Sequence, residues 1–237
     1  MSMLSIVQAF CARNHIPVPA TVMGSTDAQV VNLRALLEEE GDDLSARHQW
    51  QGITFESTLI STAAEDQGAM STLASNGFSY ISNGTIWDRT LQRKILGPLS
   101  AQEWQTAKAM VPTGPDYRFR IRGDRLLITP VPAAGSTWAF EYISSNWILG
   151  ADGVTYKNRF TLDTDTLLLP ENLLTSGLKW RWRKDTGLEY AEDFRTYEMQ
   201  VKDAMGRDGG RKVLDMSGDR GDMMPGVFVP QGSWAVP

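Results

Sequence analysis

The stretch Lys179-Trp180-Arg181-Trp182-Arg183-Lys184 puts four cations and two indoles into six consecutive residues. Guanidinium and ammonium groups suit phosphate or carboxylate, and indoles offer large contact faces. Three readings of it stay open. The tryptophans can enter the core while the cations snorkel to water. Trp180, Arg181 and Trp182, with nearby Tyr190, can lie in subunit contacts, where Trp, Tyr and Arg dominate binding energy. Or Lys179, Arg183 and Lys184, with Arg181, can face DNA in a channel, a contact that needs charge without base reading. Against that last reading, Glu189, Glu192 and Asp193 set an offsetting field.

Other candidate chemistry is sparse. The chain has two histidines, His15 and His48, too few for most metal sites and far from each other in sequence, so surface or helix-terminal positions are expected and no metal site. Asp163-Thr164-Asp165 and Gly41-Asp42-Asp43 carry oxygen ligands, but neither continues into a full calcium loop, and solvated turn carboxylates are the expectation. Glu38-Glu39-Glu40 cannot converge as an acid and base pair, because consecutive helical residues point about 100° apart. It reads as a solvated helix face. Phosphate-cradling, nucleophile-elbow and dinucleotide motifs do not occur, so neither catalytic residues nor a cofactor is expected.

Those residues need elements to hold them. Leu4, Val7 and Cys11 recur at three and four residues, with Phe10 beside them, which predicts a short helix ending before Pro17 and a buried Cys11 thiol. Thr26 followed by Gln29 reads as a capping box opening a second helix, whose apolar side is Val30, Leu33, Leu37 and Leu44. After Trp50 the pattern turns to strands: Ile53 and Phe55 alternate with polar residues. Tyr80 to Trp87, Tyr117 to Ile121, Leu126 to Thr129 and Thr137 to Ser144 have strand length, with Gly123-Asp124 as a hairpin turn.

Within that region, Ser100 and Glu103 form a second capping box for a short helix running toward Met110 and Pro112. Pro170-Glu171 opens a further helix. Tyr190, Phe194, Tyr197, Val201 and Met205 then step by four, three, four and four residues, a stripe that should close against the N-terminal helices. The expected fold is α+β. A helical bundle comes from residues 1–50 and 170–206, a β-rich antiparallel domain with one embedded helix from 51–169, and an extended arm from 207–237. The arm is rich in glycine, proline and methionine, with Met223, Met224, Val227, Phe228, Val229 and Trp234 as apolar anchors.

Composition narrows the function classes. Over 237 residues, 42% are hydrophobic and 22% charged, enough for a sizeable core. The formal charge of −5 argues against a surface built throughout for nucleic acid and leaves room only for a local basic patch. No apolar run approaches the ~20 residues of a membrane helix, so no membrane contact is expected and the chain reads as made in a cytoplasm.

Three stretches, in order, resemble the head-to-tail adaptor family of short-tailed bacteriophages, of the tail tubular A type. The first is Ser25 to Trp50, opening with Thr26-Asp27-Ala28-Gln29-Val30. The second is Pro98-Leu99-Ser100 to Glu103-Trp104. The third and most specific is Leu169-Pro170-Glu171-Asn172-Leu173-Leu174 with Gly177-Leu178-Lys179-Trp180-Arg181-Trp182, Gly187-Leu188-Glu189-Tyr190 and Tyr197-Glu198. The resemblance spans roughly residues 1 to 210, and Ser57 to Gln92 carries no distinctive match.

The resemblance implies a virion protein at the head–tail junction, assembled as a homododecameric ring. The portal protein would lie above it, a tail nozzle or tube protein below, and genomic DNA would pass through with transient, non-specific contact. The C-terminal arm would reach the portal. A ring repeats one heterologous contact around an axis and needs anchors on two faces, for which Trp87, Trp104, Trp138, Trp147, Trp180 and Trp182 are candidates. Competing readings are a tail stopper or head-completion ring component, a carbohydrate-binding module of a phage tail, and a DNA-packaging accessory.

Overall fold

A computed structural model describes residues 2–109 and 116–209. The expected arm residues Met223, Met224, Val227, Phe228, Val229 and Trp234 lie outside the described residues. The chain is a mixed helical and antiparallel-sheet protein.

Helix α1 (Met3–Arg13) buries Met3, Ile6, Val7, Phe10 and Cys11, and burial pushes the Cys11 thiol pKa up. Helix α2 (Ala28–Arg47) starts one residue later than the capping box suggested. Asp27, not Thr26, is its cap, and its Oδ1 accepts the Gln29 N–H at 2.9 Å. A carboxylate satisfies a free amide at least as well as threonine and also faces the positive end of the helix dipole.

Strand β1 (Thr54–Ile60) pairs in full with β8 (Thr137–Ile143), from Thr54 opposite Ile143 to Ile60 opposite Thr137. On the far side of β8 lie β3 (Tyr80–Ile81) and β4 (Trp87–Asp88), and β4 pairs with β5 (Arg93–Lys94). A second sheet joins β2 (Asp66–Ala69) to the hairpin of β6 (Arg118–Arg122) and β7 (Arg125–Thr129). Its turn is the expected Gly123-Asp124, with φ of 54° and 61°, the left-handed pair that a two-residue hairpin requires. Between β2 and β3 sits the single turn α3 (Met70–Leu73).

Helix α4 (Ala101–Ala109) carries the expected reciprocal cap: the Ser100 N–H donates to Glu103 Oε2 at 2.8 Å, and the Glu103 N–H to Ser100 Oγ at 3.2 Å. A third sheet orders β10 (Tyr156–Lys157), β9 (Ile148–Leu149) and β11 (Thr166–Leu167). The last described elements are α5 (Glu171–Asp185) and α6 (Ala191–Asp208).

Among the described residues the buried apolar side chains gather into two clusters. One unites α1, α2, α5 and α6, and it also takes in Trp50, Ile143, Trp147, Ile148, Phe160 and Leu169. The other fills the β1–β8 and β6–β7 sheets around Trp138, Phe140 and Phe119. The segment from Trp147 to Leu169, expected with the β-rich middle, thus packs on the helices. Trp147 explains why: its ring lies against α2 at Gly41, where an added Cβ would stand 2.2 Å from the indole, and its Nε1–H donates to Asp42 at 3.0 Å.

The tryptophans offered as ring anchors are mostly interior. Trp104, Trp138, Trp147 and Trp180 are buried in the single subunit, and only Trp87 and Trp182 keep partial exposure. Indoles supply large apolar area to a core as readily as to an interface, and residue type alone does not separate the two.

Candidate functional site

Helix α5 is where the most chemically loaded stretch of the sequence lies. Its buried line runs through Leu174, Gly177, Leu178 and Arg181, spaced at three and four residues, so Arg181 is directed at α2 rather than at solvent. Gly177 makes the approach possible. A Cβ there would lie 2.2 Å from the Glu40 carboxyl carbon.

Glu40 is fully buried, which overturns its expected place on a solvated face. Arg181 Nε donates to Glu40 Oε2 at 2.6 Å, Nη2 to Asp43 at 2.9 Å and Nη1 to Glu39. The Tyr197 hydroxyl on α6 donates to the other Glu40 oxygen. Arg47 extends the network, donating to Glu198 at 2.6 Å and Asp43 at 2.9 Å, with its guanidinium 5.6 Å from the Tyr197 ring centroid.

Burial raises the Glu40 pKa, and the bonds from Tyr197 and Arg181 oppose that without cancelling it. Burial and the adjacent Glu40 push the Tyr197 phenol well up, so it remains a donor. The cluster clasps three helices from inside. With Glu40 at 0% exposure and both its oxygens occupied, it offers no open position to a substrate.

The other members of the stretch are also held within the chain. Lys179 Nζ lies 2.7 Å from Asp193 Oδ1, and Arg183 Nη1 donates to Asp193 Oδ2, so one carboxylate in the first turn of α6 holds two proposed channel cations. Lys184 alone stays exposed, 5.9 Å from the Trp180 ring centroid. The two indoles diverge, Trp180 meeting Phe194 edge-on at 5.0 Å and Trp182 meeting Phe10 at 5.7 Å. Of the proposed interface residues, Trp180 and Arg181 therefore face the interior, because each has partners on a neighbouring helix. Tyr190 is exposed and Trp182 partly so.

An apolar surface remains at the α5–α6 turn. Leu188 is 51% exposed, Tyr190 39% and Phe194 37%, and the exposed charges Lys184, Glu189, Glu192 and Arg195 are close to them in sequence. A separate cleft of about 880 Å³ opens on the β1–β8–β4 face, with Trp87, Thr85, Glu141 and the Glu56–Arg89 ion pair among its walls. Glu56 stands opposite Glu141 in the strand register.

The carboxylates considered for calcium are bonded within the chain, Asp165 from a buried position and Asp42 and Asp43 while still partly exposed to water. Asp165 is buried and accepts the N–H groups of Thr161 at 2.8 Å and Leu162 at 3.0 Å and the ammonium of Lys157 at 3.0 Å. Burial pushes its pKa up, but these donors outweigh that and the net shift is downward. Asp163 ties down Thr21, Val22 and Met23. Asp42 accepts from Trp147 and Arg159, while Asp43 joins Arg181 and Arg47. Among the described residues no cluster of three metal-ligating side chains occurs, and no helix is long and apolar enough to cross a membrane.

Two groups of residues escaped the sequence reading: Glu40, whose partner lies 141 residues away, and the arginines at 118, 120 and 122. For the arginines a signal was present, since they alternate with Phe119 and Ile121 along one strand. No protein-family model and no curated protein matches the chain.

Proposed function

We propose that this chain is a structural virion subunit, a head-to-tail adaptor of a short-tailed phage. It forms a homo-oligomeric ring between portal and tail nozzle or tube and encloses the path of the genome during ejection. The observation that carries the reading is the exposure of the apolar residues Leu188, Tyr190 and Phe194 about the α5–α6 turn, in a stretch of sequence that also holds charges of both signs. Apolar centre and polar rim are the anatomy of a protein contact, and in a ring that contact repeats against a different face of the next subunit. The same turn lies within the stretch that carries the family resemblance. Strand β1, at the end of its sheet, offers an edge to which an extended segment of a neighbour can add.

The test is native mass spectrometry of the full chain, alone and with the portal ring from the same genome. Assembly with the portal is the expected result, Leu188→Glu with Phe194→Ser should weaken it, and deletion of 211–237 should abolish portal joining. Failure of any such portal to recruit the chain overturns the reading. The cleft beside Trp87, Glu56 and Glu141 favours a second reading, a glycan-binding module, because an indole platform next to carboxylates suits sugar. Glycan binding by a chain that stays monomeric would establish it instead.

A further inference from the structure

The face of the β6–β7 hairpin carries Arg118, Arg120 and Arg122 on alternate residues, which places all three on one side of the strand while Phe119 and Ile121 occupy the other. Among the described residues none of the three makes an ion pair or a side-chain hydrogen bond, in contrast to the cations of α5. Three of the carboxylates nearby have other partners. Asp66 pairs with Arg125, Asp124 accepts the Ser71 hydroxyl at 2.7 Å, and Glu103 caps its own helix while still feeling the charge of Arg118.

We infer that this row is a contact for the phosphodiester backbone of DNA, without base recognition. The inference rests on the adaptor reading for the source of the DNA and relocates the contact from α5 to β6. Alternate strand residues stand about 6.7 Å apart, so the row, exposed at Arg118 and Arg122 and half-buried at Arg120, spaces forked donors regularly. A regular row of one sign is matched by a regular row of the other, which a polyphosphate chain supplies and a folded protein surface, with both signs interspersed, does not. Phosphate contacts also stay hydrated, so these guanidiniums need not be stripped of water to bind. The hairpin is paired along its length, with Phe119 and Ile128 buried behind the row, and the chain's net charge of −5 confines attraction to this local patch.

The experiment is fluorescence anisotropy of mixed-sequence duplex oligonucleotide against the full-length protein as salt rises. Three phosphate contacts give a slope of about −2.7 in log K against log salt, about a 40-fold loss from 50 to 200 mM. Arg118→Gln, Arg120→Gln and Arg122→Gln together should flatten the slope toward zero, and Arg122→Gln alone should reduce it by about 0.9. Melting temperature checks that each variant is folded. No binding by the wild type at 50 mM salt overturns the inference, as does a slope that falls for Lys184→Gln but not for the arginine variants. Tighter binding to polyglutamate of equal charge would assign the row to an acidic protein. Portal recruitment should survive in the triple variant, so the DNA contact and the adaptor reading fail separately.

Discussion

The chain carries two conspicuous rows of positive charge, and they have opposite fates. On α5 the cations from 179 to 183 meet Asp193, Glu39, Glu40 and Asp43, and their work is to hold helices together. On β6 the arginines at 118, 120 and 122 make no ion pair or side-chain hydrogen bond among the described residues, and only Arg118 comes within the field of a carboxylate, Glu103. The difference follows from geometry. Helix α5 is flanked by helices that present acids to it, whereas at the ends of strand β6 Arg118 and Arg122 are exposed. Local density of charge therefore says little about function until the partners are counted.

The contrast is broken most severely at the buried pair. Glu40→Ala leaves Arg181 8% exposed and short of its buried partner, and should cost about 4 kcal/mol, read by urea unfolding. Arg181→Met, which removes the cation but leaves Glu40 able to take a proton, should cost less. An equal or larger loss would show that the guanidinium's packing, not its charge, holds these helices together. Gly177→Ala drives a methyl into the Glu40 carboxyl group and should cost about 3 kcal/mol, because overpacking here also displaces an ion pair. No change would mean that α5 can move away from α2 freely.

The fasteners around α1 should sharpen the same contrast through pH. Asp165 has a lowered pKa in the folded chain, so its contribution is present above the ordinary aspartate value of about 3.9 and is lost as pH falls through the folded value. Asp165→Asn should cost about 2 kcal/mol at pH 7 and make stability below pH 4 less steeply dependent on pH. Glu40 acts with the opposite sign. Its pKa is raised, so its contribution is complete below the ordinary glutamate value and declines as pH rises through the folded one. Stability measured from pH 3 to 8 should separate the two when each single variant is compared with the parent.

Much of this architecture was legible where the signal is local. The Ser100–Glu103 cap, the Gly123-Asp124 turn, the buried Cys11 and the α6 stripe through Tyr197 and Val201 depend on residues within a few positions of one another. What escaped was non-local. The register of β1 against β8 joins Ile60 to Thr137, and the chain between them holds several turns that could each have redirected it. Glu40 looked solvated because its neighbours Glu39 and Asp42 do face water in part, and only Gly177 and Arg181 on a distant helix make its burial tolerable. The tryptophans misled in the reverse direction, since an indole in a core and one in an interface have the same local sequence.

The smallest effects expected on stability are the most diagnostic of the contrast. Asp193→Asn removes the partner of both Lys179 and Arg183, which are 43% and 35% exposed in their side chains, so it should cost only about 1 kcal/mol. Replacing Arg118, Arg120 and Arg122 with glutamine should cost less still, within about 0.5 kcal/mol, because side chains without partners contribute little to the fold. Unfolding midpoints of the two variants, measured in low and in high salt, decide the matter. Salt should weaken the parent relative to Asp193→Asn by screening the ion pair. It should strengthen the parent slightly relative to the arginine variant, since screening relieves repulsion along the row. A salt response of the β6 row with the same sign as that of α5 would mean that these arginines are paired in solution, and the functional distinction between the two rows would go with it.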